Sequence, residues 1–203
     1  MSATRLLVLG VVRFSGRAHG YQVRRELLSW GAEQWANVKP GSVYHALRQL
    51  LKNGMLRSAG VEESGEGPER TLFELTESGE DEFVRLLNKA LSDASAKPEF
   101  FGSGIAFLTC QPRDRVIRLL RFRLARLEAE QQNLRSMLGD GPASDDKPEH
   151  VWELFRSWIV AGDAAVGYTR ELVARLENGA YTMAGEEEWT AFGEPGPIES
   201  AQR

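Results

Sequence analysis

The chain has 203 residues, enough for one domain or two small ones with a real core. At 42% hydrophobic and 27% charged it has the composition of an ordinary folded protein, which excludes a disordered chain. The net charge of −4 conceals an asymmetry: residues 1–60 hold nine Lys/Arg against two Asp/Glu, a balance of +7, and the remainder holds 16 basic against 27 acidic residues, a balance of −11.

A basic N-terminal unit on an otherwise acidic protein suits a polyanion binder, because the basic face docks while the acidic remainder limits indiscriminate sticking. The apolar run from Leu6 to Val12, broken by Gly10, is too short to cross a bilayer, and no small-residue cleavage site follows it. A cytoplasmic protein is the expectation. Cys110 is the single cysteine, so there is no internal disulfide and no thiolate metal cluster within one chain. Next to Leu108 it reads as a small buried apolar residue.

In chain order, Ser2–Phe14 reads as a helix apolar nearly all round, as a helix buried between neighbours would be. Residues 15–18 read as a turn. A second helix runs from about His19 to Trp30, with Val23, Leu27 and Trp30 inward and Arg24 and Arg25 outward, and Gly31 stops it. The third helix opens at Pro40, which suits a first helical position, and Gly54 ends it. Val43, Ala46, Leu47, Leu50 and Leu51 form its core-facing stripe. MLRSAGVEES and RTLFELT read as two strands of a hairpin around GEGPE. Thr76 is the expected N-cap of a fourth helix to about Leu91, with a start loosened by Gly79. Helix, helix, helix, hairpin, helix is the order of a winged helix-turn-helix domain, residues 1–91.

Residues 92–104 read as a linker in which Phe100-Phe101 could be extended or docked, and a short helix is expected around Ile105–Thr109. A long helix then runs from Pro112 to about Leu138, with Val116, Leu119, Leu120, Leu127, Leu134 and Leu138 along one side. DGPASDDKPEH reads as a loop. The last helix, about Glu149 to Asn178, repeats Val151, Leu154, Phe155, Trp158, Ala165, Tyr168, Leu172 and Leu176. The tail, 181–203, is expected to be disordered or to dock a short piece around Trp189–Phe192. The fold class is therefore mainly α: a winged helix-turn-helix domain followed by a long-helix dimerisation domain over 105–180.

The third helix carries the functional signal. In a helix-turn-helix the second helix of the motif enters the major groove, and its N-terminal residues reach base edges. Opposite the apolar stripe lie Ser42, Tyr44, His45, Arg48, Gln49 and Lys52. Lys39 and Ser42 at the helix start are placed for phosphates, helped by the positive end of the helix dipole. Arg48 is the best base reader, since a guanidinium pairs bidentately with guanine, and His45 can donate to a phosphate or a base. A merely solvated polar face is the bland alternative, and the hairpin and the basic balance weigh against it. On the hairpin, Arg57 and Arg70 flank a loop that is acidic at Glu62, Glu63, Glu66 and Glu69, so Arg70 rather than the tip is expected to touch DNA.

These residues resemble the PadR family of transcriptional regulators. The motifs are HGYQVRREL at 19–27, VKPGSVYHALRQLLKNGML at 38–56 and RTLFELTESGEDEF at 70–83. Ser42 stands where the family usually has Thr, and Leu72-Phe73 where Tyr-Tyr is common. The resemblance implies that Tyr21, Ser42, Tyr44, Arg48 and Arg70 face DNA. It also implies a dimer embraced by C-terminal helices and, in most members, a repressor released by a small molecule.

The helix pattern argues independently for a dimer, because one helix pair cannot cover the Phe155/Trp158 stripe; Leu120, Leu127, Val151, Leu154, Phe155, Trp158, Tyr168 and Leu172 are the candidate dimerisation residues. A two-fold dimer would read a pseudo-palindromic site in double-stranded DNA. Trp152, Trp158 and Tyr168, with Trp30 and Trp35, could line a pocket for a small aromatic effector, although packing is the simpler role for each. The Arg-rich side of the long helix (Arg113 to Arg126) reads as a solvated face or as the partner of acids across the dimer. No cofactor, metal or membrane partner is expected. Enzymatic activity is excluded by the scatter of His19, His45 and His150 and by the lack of a metalloprotease, phosphate-loop or dinucleotide motif; Glu186–Glu188 reads as solvated tail. The alternative that survives is a winged-helix module binding protein without sequence-specific DNA contact.

Overall fold

A computed structural model describes residues 2–62, 70–138, 148–187 and 189, the side chains of 61, 62, 70, 138 and 149 excepted. It divides into two compact units, one up to Cys110 and one from Gln111.

The first unit is built around α1 (Ala3–Ser15), whose Leu6, Leu7, Val8, Leu9, Val11 and Val12 are all buried. An apolar run with no polar side needs neighbours all round, and α1 packs on α2 (Gly20–Ser29), α4 (Pro40–Lys52), α5 (Glu77–Ser92) and α6 (Pro98–Ala106). Three strands, β1 (Arg17–His19), β2 (Leu56–Glu62) and β3 (Arg70–Leu75), form an antiparallel sheet in the order β1-β3-β2, with a bulge between Ser58 and Val61. The residues expected as a turn at 15–18 thus include a strand, which pairs Arg17 with Glu74 and His19 with Leu72. A further short helix, α3 (Ala32–Trp35), follows Gly31.

The start of α5 is tightly defined, contrary to the expectation drawn from Gly79. A Cβ on residue 79 would lie 2.0 Å from the Met55 carbonyl oxygen, so glycine is what lets the first turn of α5 sit against β2. Thr76 caps that turn as expected, accepting from the Gly79 N–H at 3.1 Å while donating to the Gly54 carbonyl at 2.7 Å. Further along α5, Glu82 is nearly buried between Arg85 and Arg5, at 2.6 and 3.1 Å. The hydrogen bond from Arg85 holds its carboxyl below the usual range, with the charge of Arg5 adding to the effect against the opposing cost of burial.

Residues 98–106 are helical rather than extended linker. α6 packs against α1 and α5, and a 3₁₀ turn, Leu108–Cys110, follows it. Phe107 closes this part of the core: its ring lies edge-on to Phe83 and Trp30 at 5.5 and 5.9 Å and directly over Gly10, where a Cβ would be 2.1 Å away. Phe100 is buried as well. Cys110 is largely buried, which pushes its thiol pKa up.

The second unit consists of α7 (Arg113–Leu138) and α8 (Glu149–Glu177), packed antiparallel. Residues 139–147, most of the expected loop, lie outside the described residues. On these helices Val116, Leu120, Leu127, Leu172, Val173 and Leu176 are buried. Arg121 pairs with Glu177, Arg170 with Glu128 and Arg135 with Asp163, at 2.7, 2.6 and 2.5 Å. On the Arg-rich side of α7, Arg113, Arg118 and Arg121 thus find acids on their own chain. Glu186 is not solvated tail: it takes Arg113 in a bidentate pair at 2.7 and 2.9 Å, while Arg113 also donates to the carbonyls of Leu176, Ala180 and Tyr181. That arginine adds a donor to the last turn of α8 and ties down the residues after it. Of the expected docked piece at 189–192, Trp189 is half-buried and bonds back to Glu186; 190–192 lie outside the described residues.

Candidate nucleic-acid interface

Two elements, α2 and α4, build the surface that the sequence points to. On α4, Val43, Leu47 and Leu50 are buried and seat the helix on α1 and α2. Leu51, expected in the same stripe, lies at its edge and is 36% exposed. The opposite side presents Tyr44, His45, Arg48, Gln49 and Lys52 to solvent, with Lys39 exposed at the N-cap. Ser42 is half-buried and donates its hydroxyl to the Lys39 carbonyl at 2.6 Å, so its proton is committed to the helix start.

Tyr21 and Tyr44 are 42% and 39% exposed. The Tyr44 ring lies against Gly20, where a Cβ would meet its Cε1 at 3.0 Å. The first residue of α2 thus gives the ring its seat. Tyr21 stacks on His19, 5.8 Å between ring centres and 13° between planes. His19 is buried; its N–H donates to Gln22 Oε1 at 2.8 Å and its Nδ1 lies 3.2 Å from the Thr71 carbonyl oxygen, joining the start of α2 to β3. Arg70 holds its backbone register opposite Glu62. Its side chain, and the acidic loop 63–69, lie outside the described residues.

The charge of this unit is sorted by its ion pairs. Arg5 and Arg13 are taken by Glu82 and Glu80 of α5. Arg17 and Arg57, on the two outer strands, both reach Glu74 on the central one, at 3.7 and 3.0 Å. Of the nine cations in residues 1–60 this leaves Arg24, Arg25, Lys39, Arg48 and Lys52, and no acid among the described residues pairs with any of them. All five lie on α2, on α4 or at the N-cap of α4. The sequence marks Arg24 and Arg25 as an outward face of α2 and no more; their helical positions and the acids' preference for other arginines bring them into this set.

The other predicted residues fall into three groups. Leu120, Leu127 and Leu172 are buried within the α7–α8 pair, so their apolar surface is used inside one chain. Leu154 and Trp158 are 49% and 48% exposed, Tyr168 is exposed too, and Val151 and Phe155 are half-buried. Phe155 lies 5.7 Å from Trp152 and 5.3 Å from Trp158, making one aromatic cluster. Tyr168 does not join it: ten residues of helix put it about 15 Å along α8 from Trp158. Trp30 and Trp35 belong to the first unit, where the Trp35 Nε1 donates to the Trp30 carbonyl at 2.9 Å. Among the described residues no cluster of His, Cys, Asp or Glu could hold a metal ion, and no helix is long and apolar enough to cross a membrane.

Residues 8–85 match the family described as "Transcriptional regulator PadR-like family". Among solved structures, that of Bacillus subtilis PadR in complex with operator DNA is similar at 19% identity over 85% of this chain and 98% of that one, with a TM-score of 0.39. The same protein in complex with p-coumaric acid is similar at 17% identity, 86% and 96% coverage and a TM-score of 0.36. The structure of smu.1604c from Streptococcus mutans UA159 gives 19%, 88%, 98% and 0.38 in the same order. No curated protein matches the chain.

Proposed function

We propose, from the match of residues 8–85 to the PadR-like family of transcriptional regulators, that the chain is a homodimeric, sequence-specific DNA-binding repressor released by a small aromatic molecule. The observation that carries the DNA reading is the set of unpaired cations on α2 and α4, next to the exposed Tyr44, His45 and Arg48. Groups that can neutralise phosphates stand free, and the helix that displays them is held on its apolar side only. Arg48 reads a base; Lys39, Lys52, His45 and the Tyr21 and Tyr44 hydroxyls contact the backbone, with Ser42 completing the helix start and Arg70 acting from the strand. The DNA-reading domain is completed by α6, beyond residue 91, and reaches Cys110.

The dimer reading is supported by the exposed Leu154 and Trp158 on α8, since large apolar side chains left side by side in solvent favour burial against a partner. A two-fold dimer places half-sites about 34–36 Å apart, or a multiple of it. The effector reading rests on the Trp152–Phe155–Trp158 cluster, where the Trp152 Nε1 is buried without a hydrogen-bond partner among the described residues. Tyr168 belongs to the dimer surface in this account.

Selection from random duplex pools at two salt concentrations tests the reading. Enrichment of a pseudo-palindrome, with binding lost in Arg48→Ala, is the expected result. Weak, salt-insensitive binding with no enriched sequence would replace it with a winged-helix module that binds protein.

A further inference from the structure

The three ion pairs that join α7 to α8 are spaced by seven residues on both helices: 121, 128 and 135 on one, 177, 170 and 163 on the other. Their signs alternate. Along α7 they run Arg, Glu, Arg, and the facing residues of α8 run Glu, Arg, Asp. We propose that this ladder is a register lock that fixes how much of α8 is presented to a second copy of the chain; the proposal rests on the reading of α8 as the dimer surface.

Side chains lean toward the N-terminus of their own helix, and Gln131 fits over Gly162, so Leu138, the last residue of α7, is level with about Phe155. Residues 149–154 of α8 therefore extend about 9 Å past the end of α7. Leu154 lies on this overhang, and Phe155 and Trp158 follow it. A slip of one heptad lengthens or shortens it by about 10 Å.

One row of the core does not forbid such a slip by itself, although a slip would also break the bonds of Arg113 to Leu176 and Glu186. Leu120, Leu127 and Leu134 recur every seven residues on α7, as do Gly162, Thr169 and Leu176 on α8. Gln131 fits over Gly162, where a Cβ would fall 1.2 Å from its Nε2, but a slip in one direction carries it to the next position of the same row, Thr169. The charges do discriminate. One heptad in one direction sets Arg121 against Arg170, Glu128 against Asp163, Arg135 against Arg156 and Asp114 against Glu177; one heptad in the other sets Glu128 against Glu177 and Arg135 against Arg170. The first slip exchanges attractive pairs for four like-charge contacts, the second for two. Each pair is half-exposed and contributes little to stability alone, yet alternation makes the aligned state the one arrangement with no repulsion.

Pulsed electron paramagnetic resonance on the full chain tests this, with nitroxides at Ala125→Cys and Ala164→Cys in a Cys110→Ser background, diluted with unlabelled protein. The otherwise unaltered ladder should give one distance. Glu128→Arg with Arg170→Glu keeps all three pairs in register but makes the three α7 positions basic and the three α8 positions acidic, so the heptad slip that sets residue 128 against Glu177 keeps two attractive pairs and no repulsion. A second population, displaced by about 10 Å along the axis, is expected. Arg121→Glu with Glu177→Arg leaves one repulsion in that slip and two in the opposite one, and should give a smaller second population. A single unchanged distance in both variants would overturn the proposal and assign the register to the core. Sedimentation equilibrium of the same samples separates the two readings: a monomeric unaltered protein would overturn the dimer and leave the distances to decide the lock.

Discussion

The two units handle charge in opposite ways. In the first, acids of β3 and α5 take up Arg5, Arg13, Arg17 and Arg57, and five cations on α2 and α4 stay free. In the second, cations and acids pair from helix to helix, Arg115 and Arg126 are left without an acid among the described residues, and large apolar side chains stand exposed: Leu154, Trp158 and Val160 on α8. Free charge and uncovered apolar surface imply different partners. The first favours a polyanion, whose displaced counterions drive association, and the second favours a protein surface that excludes water. Net charge alone would have missed this, because the acids that quench the N-terminal arginines lie beyond residue 70.

The strongest way to break the comparison is to damage one unit and watch the other. Phe107→Ala empties the space over Gly10 between Phe83 and Trp30 and should cost about 3–5 kcal/mol, read as a lowered denaturation midpoint of the first unit. A matching loss in α7 and α8 would show that the units do not stand separately. Next in size, Trp158→Ser should weaken self-association by about 2 kcal/mol or more, measured by sedimentation, with the salt dependence of duplex binding per protomer unchanged. Arg48→Ala should lower affinity for the selected duplex by about 1–3 kcal/mol and relax the preference at one base pair. Glu82→Gln should destabilise the first unit by about 1–3 kcal/mol at neutral pH. Glu82 has a depressed pKa in the folded state, so its contribution is present above the ordinary value of 4.5 and fades as pH falls below it. Acid titration of stability should accordingly be flatter in Glu82→Gln. Smallest of all, half-buried Cys110, its thiol pKa raised, should alkylate more slowly in the native protein than once unfolded.

Much of the first unit is legible in the sequence because its signals are local. The all-round apolar run of α1, the stripe and exposed face of α4 and the Thr76 cap depend on spacing within one element. What escapes is what only a distant partner decides. Three residues make β1 a strand because β3 lies next to them. Gly102 and Gly104 give α6 the look of a linker, yet added Cβ atoms would lie 3.3 Å from the Trp35 ring and 2.8 Å from Ala90. They are glycines for close packing, as Gly79 is. At the candidate site the side chains can be named from the sequence, but which cations stay unpaired cannot: Arg13 and Glu80 are 67 residues apart. The overhang of α8 is likewise invisible until the ladder fixes the register, and Glu186 reads as tail until Arg113 meets it.

The central claim is that the unpaired cations, and not the paired ones, dock on DNA. The most direct measurement is the dependence of duplex affinity on salt concentration in a triple and a double variant of the full chain. Removing Lys39, Arg48 and Lys52 together should reduce the logarithmic slope by about 0.9 for each phosphate that is no longer neutralised, whereas Arg17→Ala with Arg57→Ala should leave it nearly unchanged. An equal reduction of slope in the two variants, or none in the first, would contradict the account.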